Sequence, residues 1–206
     1  MQTPITEMFN IEFPIMAFSH CRDVVAAVSK AGGLGVLGAV GLSDKQLEID
    51  LAWIKEEIGA RPYGVDLIVP ARYAGSDEGG LQVKDLLSTI PGAHQDFVNE
   101  LLHRYGVPED SDAGSGWAER SGDAPFSANR AMGQLDIALS YHPALVANAL
   151  GSPPAEMISR CHEAGVKVAA LAGTKVHAER HVAAGVDAII AQGTEGGGHT
   201  GHIGSM

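Results

Sequence analysis

The chain has 206 residues, 45% apolar and 19% charged, a balance that excludes a disordered chain and suits one substantial core. A formal net charge of −11 without any Lys/Arg cluster excludes a nucleic-acid surface, so an anionic ligand would be held by backbone N–H groups rather than a basic patch. No apolar run reaches the roughly eighteen residues of a membrane span, and the first residues lack the pattern of a signal peptide. Cys21 and Cys161 match no zinc or CxxC spacing; as packing residues they fit a reduced, cytoplasmic protein.

Phe13 to Phe18 reads as a first strand ended by the polar turn Ser19-His20, and Asp23 as the N-cap of a helix through Val24, Val25 and Val28. Gly32-Gly33 stops that helix before a second strand, Leu34 to Val40. Ser43 caps a longer helix with Leu47, Leu51, Ile54 and Ile58 at spacings of three and four, and Val65 to Val69 is a third strand. Alternation then pauses over residues 71–130, which hold an apolar helix around Phe97, Leu101 and Leu102 and a polar Gly/Ser/Asp-rich tract, Pro108 to Asp123. An excursion of this length reads as a cap or as a solvated insertion.

Strands Ala144 to Leu150, Val166 to Leu171 and Val186 to Ala191 follow, the last read as buried on both faces, with helices Pro153 to His162 and Lys175 to Ala184 between them. Ala31-Gly32-Gly33, Ala164-Gly165-Val166 and Ala184-Gly185-Val186 repeat one device, a glycine ending a helix before a strand, which implies repeated β-α units and a parallel sheet. The expected fold class is α/β, a (β/α)8 TIM barrel of which about six of the eight units lie in residues 1–206 as one partial domain, with a helical insertion or cap at 71–130 after the third strand. A six-stranded doubly wound sheet is the alternative.

The glycine-rich loop Gly193 to Gly201, which follows the sixth strand and presents His199, reads as a cofactor site at the carboxyl end of a parallel strand. Asp66 and Asn148 are polar residues inside apolar strands and need partners, from a ligand or from neighbouring backbone. His142, His162, His181 and His202 share no metal-site spacing, so no metal is expected, and His162 and His181 read as helix-surface residues. No G-x-S-x-G elbow or Rossmann fingerprint occurs.

Phe13-Pro14-Ile15-Met16-Ala17, the stretch Ala26 to Leu37 (AAVSKAGGLGVL) and Val186 to Gly201 (VDAIIAQGTEGGGHTG) together resemble the nitronate monooxygenase (2-nitropropane dioxygenase) family of FMN-dependent TIM-barrel flavoenzymes. Phe18-Ser19-His20-Cys21 departs from the turn common after the family's first strand, and the strands that grip the flavin phosphate lie outside these residues. The resemblance implies FMN as cofactor, His177 and His199 as catalytic, and a cofactor site drawn from Met16, Ala17, Phe18, Asp66, Asn148, Ala172, Gln192, Gly196, Gly197 and Gly198. It implies oxidation of alkyl nitronates by O2 to carbonyl compounds and nitrite, with an NAD(P)H-dependent enoyl-thioester or enone reductase as the alternative. The partners are then a small-molecule substrate and O2, with neither nucleic acid nor membrane, and a homo-oligomer is left open.

Overall fold

The computed structural model describes residues 2–69, 88–107, 128–193 and 195–196. In chain order these form α1 (Pro4–Phe9), β1 (Met16–Ser19), α2 (Arg22–Lys30), β2 (Leu34–Gly38), α3 (Asp44–Ile58), β3 (Tyr63–Leu67), α4 (Gly92–Arg104), α5 (Ala128–Ser140), β4 (Leu145–Asn148), α6 (Ala155–Glu163), β5 (Lys167–Ala172), α7 (Lys175–Ala184) and β6 (Ala188–Ala191). All strands are parallel and stand side by side in chain order, β1 to β6. A doubly wound sheet reverses its strand order at a switch point, and this one does not; the curled sheet is that of six consecutive units of a (β/α)8 barrel.

Two cores follow from strand alternation. On the inner face Leu34, Val36, Leu145, Ala147 and Ala169 meet Phe9 and Ile11 from the α1 segment. On the outer face Leu37, Val65, Leu67, Val146, Val168 and Ala170 pack under Leu47, Leu51 and Ile54 of α3, Leu135 of α5 and Met157 of α6. Helix α1 is short but closed by a reciprocal cap: Thr3 Oγ1 accepts from the Thr6 N–H at 3.1 Å, and Thr6 Oγ1 accepts from the Thr3 N–H at 2.9 Å.

Several boundaries differ from expectation for local reasons. Strand β1 begins at Met16 because Pro14 has no N–H to donate to a ladder. Helix α2 starts at Arg22 with Cys21 as its N-cap, so Asp23 lies in the first turn instead of capping it. Ser43 does cap α3, accepting from the Gln46 N–H at 3.2 Å. Helix α5 has no counterpart in the sequence reading; its Leu135 and Ala138, three apart, are both buried. Strand β6 is half exposed rather than covered on both faces, since β5 is its one paired neighbour among the described residues. The tract 108–123 lies outside the described residues.

Asp187 ties the last two units together. Its carboxylate accepts from the Val168 N–H at 2.9 Å, from Lys167 Nζ at 2.9 Å and from His162 Nε2 at 2.8 Å. Burial opposes its charge, but these hydrogen bonds prevail and hold its pKa below the usual carboxylate value.

Helix α2 lies so close to β2 that residue 35 has no room for a side chain: a Cβ there would stand 2.1 Å from the Val25 carbonyl oxygen. Ser29 Oγ accepts from the Gly35 N–H at 3.2 Å in the same contact. Backbone cannot yield as a side-chain tip can, so Gly35→Ala is expected to lower stability by at least ~2 kcal/mol. Urea unfolding checks this, and a midpoint equal to wild type would refute the tight contact.

Candidate functional site

Because every strand runs the same way, the carboxyl ends of all six meet on one rim, where barrel enzymes keep their chemistry. On the concave inner face lies a cavity of about 360 Å³ walled by Met16, Phe18, Val36, Asp66, Leu145, Ala147, Asn148, Ala149, Leu171, Ile190 and Gln192. Its walls are apolar apart from three side chains, and the state of those three defines what it can hold.

Asn148 is already satisfied. Its Oδ1 accepts from the Val69 N–H at 2.9 Å, and its Nδ2 donates to the Leu150 and Gly151 carbonyls at 3.2 and 3.1 Å. It clamps the turns after β3 and β4, and a ligand would meet it by packing. Asp66 and Gln192 differ. The Asp66 carboxyl has no hydrogen-bond or ion-pair partner among the described residues, and burial pushes its pKa up to about 7. Gln192 Oε1 is a buried acceptor without a donor among the described residues. A buried polar atom left unpaired is costly, so these two mark where a ligand would supply hydrogen bonds.

A second cavity of about 350 Å³, lined by Ala172, Gly173, Thr174, Lys175, Ala178, Ile189, Ala191, Gln192 and Gly193, lies between the start of α7 and the end of β6. Gln192 borders both. Gly196 carries no side chain beside its amide, since a Cβ there would lie 3.0 Å from Gln192 Nε2.

Of the residues proposed from sequence, Met16, Phe18, Asp66, Asn148 and Gln192 come together in the concave cavity, while Ala172 lines the neighbouring one. Ala17 lines neither, alternating to the other face of β1. His177 stands in the first turn of α7, its N–H capped by Thr174 Oγ1 at 3.2 Å; it is half-buried and outside both cavity walls. Gly197, Gly198 and His199 lie outside the described residues.

Two histidines were misjudged or missed. His181 is buried at 1% exposure rather than on the helix surface. Its Nε2 donates to the Leu171 carbonyl at 3.0 Å, so its Nδ1 accepts from Ser152 Oγ at 3.1 Å, binding α7 to the end of β5 and the turn after β4. His20 stands at the rim with Nδ1 3.1 Å from the Gly38 carbonyl. Cys161 packs in the core as expected, whereas Cys21 is exposed.

The nitronate monooxygenase family model matches residues 2–206. The chain is 50% identical, over all of its length, to a Mycobacterium tuberculosis protein named as a monooxygenase, of which it covers 54%. A Staphylococcus aureus protein named as a nitronate monooxygenase is 27% identical over 96% of this chain and 50% of its own. Among solved structures, nitroalkane oxidase from Streptomyces ansochromogenes superposes with a TM-score of 0.66 at 26% identity, over 97% of this chain and 51% of that one. FabK from Thermotoga maritima gives a TM-score of 0.64 at 22% identity, over 98% of this chain and 47% of that one. The chain thus spans about half the length of the curated relatives it matches.

The raised pKa of Asp66 has a sign that can be tested. An unfolded Asp ionises near ~3.9. Below that value both states are protonated, and between it and about 7 only the unfolded state ionises, so stability falls as pH rises. Above about 7 the loss is complete. Asp66→Asn removes it and is expected to exceed wild type at pH 8 by ~2 kcal/mol, allowing for solvent at the mouth against about 1.4 kcal/mol per pH unit. Near pH 4.5 the gain should be small. Urea unfolding at both values checks this, and an equal gain at both would contradict it.

Proposed function

The chain belongs to the nitronate monooxygenase family, and we propose that it forms the flavin-binding part of an FMN-dependent enzyme oxidising alkyl nitronates with O2 to carbonyl compounds and nitrite. The observation that carries this is the concave cavity, whose apolar wall holds one carboxyl and one amide oxygen without a partner among the described residues. A flat heteroaromatic ring with polar edges suits such a wall: apolar faces for Met16, Phe18, Leu171 and Ile190, edge groups for Asp66 and Gln192. FMN, when bound, supplies the two-electron chemistry between nitronate and oxygen.

The protein's share is to hold, orient and shield. Gln192, at the end of β6, offers a fixed acceptor, and Asn148 keeps the turns at the cavity edge in place. Ala172, Gly196, Gly197 and Gly198 are small and let backbone approach the cofactor. His177 and His199 are the catalytic candidates, since an imidazole can act as a general base toward the substrate. Residues 71–130 serve as a cap, and helix α4 within them exposes Phe97 (60%), Val98 (50%) and, just after it, Tyr105 (75%). Such a face suits closure over an apolar ring.

Anaerobic mixing of the FMN-loaded protein with propyl-1-nitronate tests the reading. The flavin band is expected to bleach and to return with oxygen. Bleaching by NAD(P)H but not by the nitronate would overturn this in favour of an enone or enoyl-thioester reductase. His177→Asn is expected to lower kcat/KM by ~10²–10⁴-fold while FMN stays bound. An unchanged kcat/KM would remove His177 from the mechanism.

A further inference from the structure

His20 occupies the place of a side chain that β2 lacks. A Cβ on Gly38 would lie 2.7 Å from both Cε1 and Nδ1 of His20 and 2.6 Å from Cζ of Phe18. Gly38 is the register partner of Asp66 in the parallel pair β2–β3, and paired residues of neighbouring strands face the same side. The His20 ring therefore covers the strand position next to Asp66, on the face that carries the cavity. It packs edge-on against Phe18, with ring centroids 5.0 Å apart and planes at 81°, and Phe18 lines the cavity.

The anchor of this ring fixes its chemistry. A carbonyl only accepts hydrogen bonds, so the Nδ1 facing the Gly38 oxygen carries the hydrogen. That bond leaves Nε2 on the far side of the ring, and Nε2 has no partner among the described residues. The other charges nearby are committed. Arg22 bonds Asp50 at 3.0 Å and its guanidinium lies 4.8 Å over the Trp53 ring; Asp23 accepts from Cys21 Sγ at 3.6 Å. Among the described residues no Lys or Arg lines the cavity, and Asp66, the one titratable group in its wall, keeps its proton to about pH 7 because it is buried. Strands β4, β5 and β6 contribute Ala147, Asn148, Leu171, Ile190 and Gln192, none of them charged.

We propose that His20, as an imidazolium pinned by the Gly38 carbonyl, binds the anionic head of the substrate through Nε2–H and so selects planar anions over their neutral parents at the cavity mouth. This rests on the nitronate reading and deepens it by naming the group that reads the substrate's charge. It also accounts for Gly38, whose missing side chain makes room for the ring.

His20→Asn suits the test, because the Asn amide can still donate to the Gly38 carbonyl while nothing replaces Nε2. Calorimetric titration of the FMN-loaded protein with isobutyrate, an unreactive planar anion shaped like a nitronate, is expected to show binding at pH 6.5 weakened at least tenfold in the variant. Isobutyramide, its neutral counterpart, should bind both proteins alike. In turnover the variant should raise KM for propyl-1-nitronate at least tenfold with kcat within threefold, since the interaction is made before and during reaction. Equal isobutyrate affinity in the two proteins, or no isobutyrate binding by wild type, overturns the assignment. Weakened isobutyrate binding without any nitronate oxidation by wild type would uphold the anion site while refuting the oxidation.

Discussion

The unbroken parallel ladder from β1 to β6 is the constraint from which the rest follows. Its central strands, β2 to β5, are covered on both faces, so their residues alternate between an outer core under the helices and an inner core against the α1 segment. It also delivers every strand's carboxyl end to one rim. Phe18 and His20 at the end of β1, Gly38 on β2, Asp66 on β3, Asn148 on β4 and Gln192 after β6 are scattered over most of the chain. Each becomes part of one rim because its strand ends there.

Polar accounting then separates scaffold from site. Gln134 donates to the Ala39 and Leu42 carbonyls; His181 joins Ser152 to Leu171; Asp187 collects three donors; Ser29 receives Gly35. Each brings loops or helices to a strand and leaves little polar capacity unused. Among the described residues the carboxyl of Asp66 and Oε1 of Gln192 break this pattern, and both residues line the same apolar hollow. Polar groups without a partner among the described residues, in side chains that line one cavity, are where a bound ligand would add hydrogen bonds.

Much of this was legible in the residues. The Ala-Gly junctions after helices announced repeated β-α units, and Ser43 with its apolar stripe announced α3. Asp66 stood out as a charge within Tyr63–Leu67, a strand otherwise without one. What stayed hidden depended on distance along the chain. His181 reads as a surface residue because its partners, Ser152 and Leu171, are brought to it only by the packing of α7 on β5. His20 looked like part of a turn because its meaning comes from Gly38, eighteen residues on, and from the Gly38–Asp66 register. The double hydrogen-bond role of Asn148 toward turns on two strands was invisible for the same reason. The motif around His177 singled out a residue that lies outside both cavity walls, which shifts the weight of the described site toward the ends of β1, β3 and β6.

The central claim is that the concave face between β1 and β6 holds the flavin. A crystal structure of the protein soaked with FMN tests it most directly. The account requires the ring system to lie within the hollow walled by Met16, Val36, Leu145 and Ile190, with polar ring atoms in hydrogen-bond reach of the Asp66 carboxyl and Gln192 Oε1. A ring bound away from that hollow, with Asp66 and Gln192 still unpaired, would contradict it.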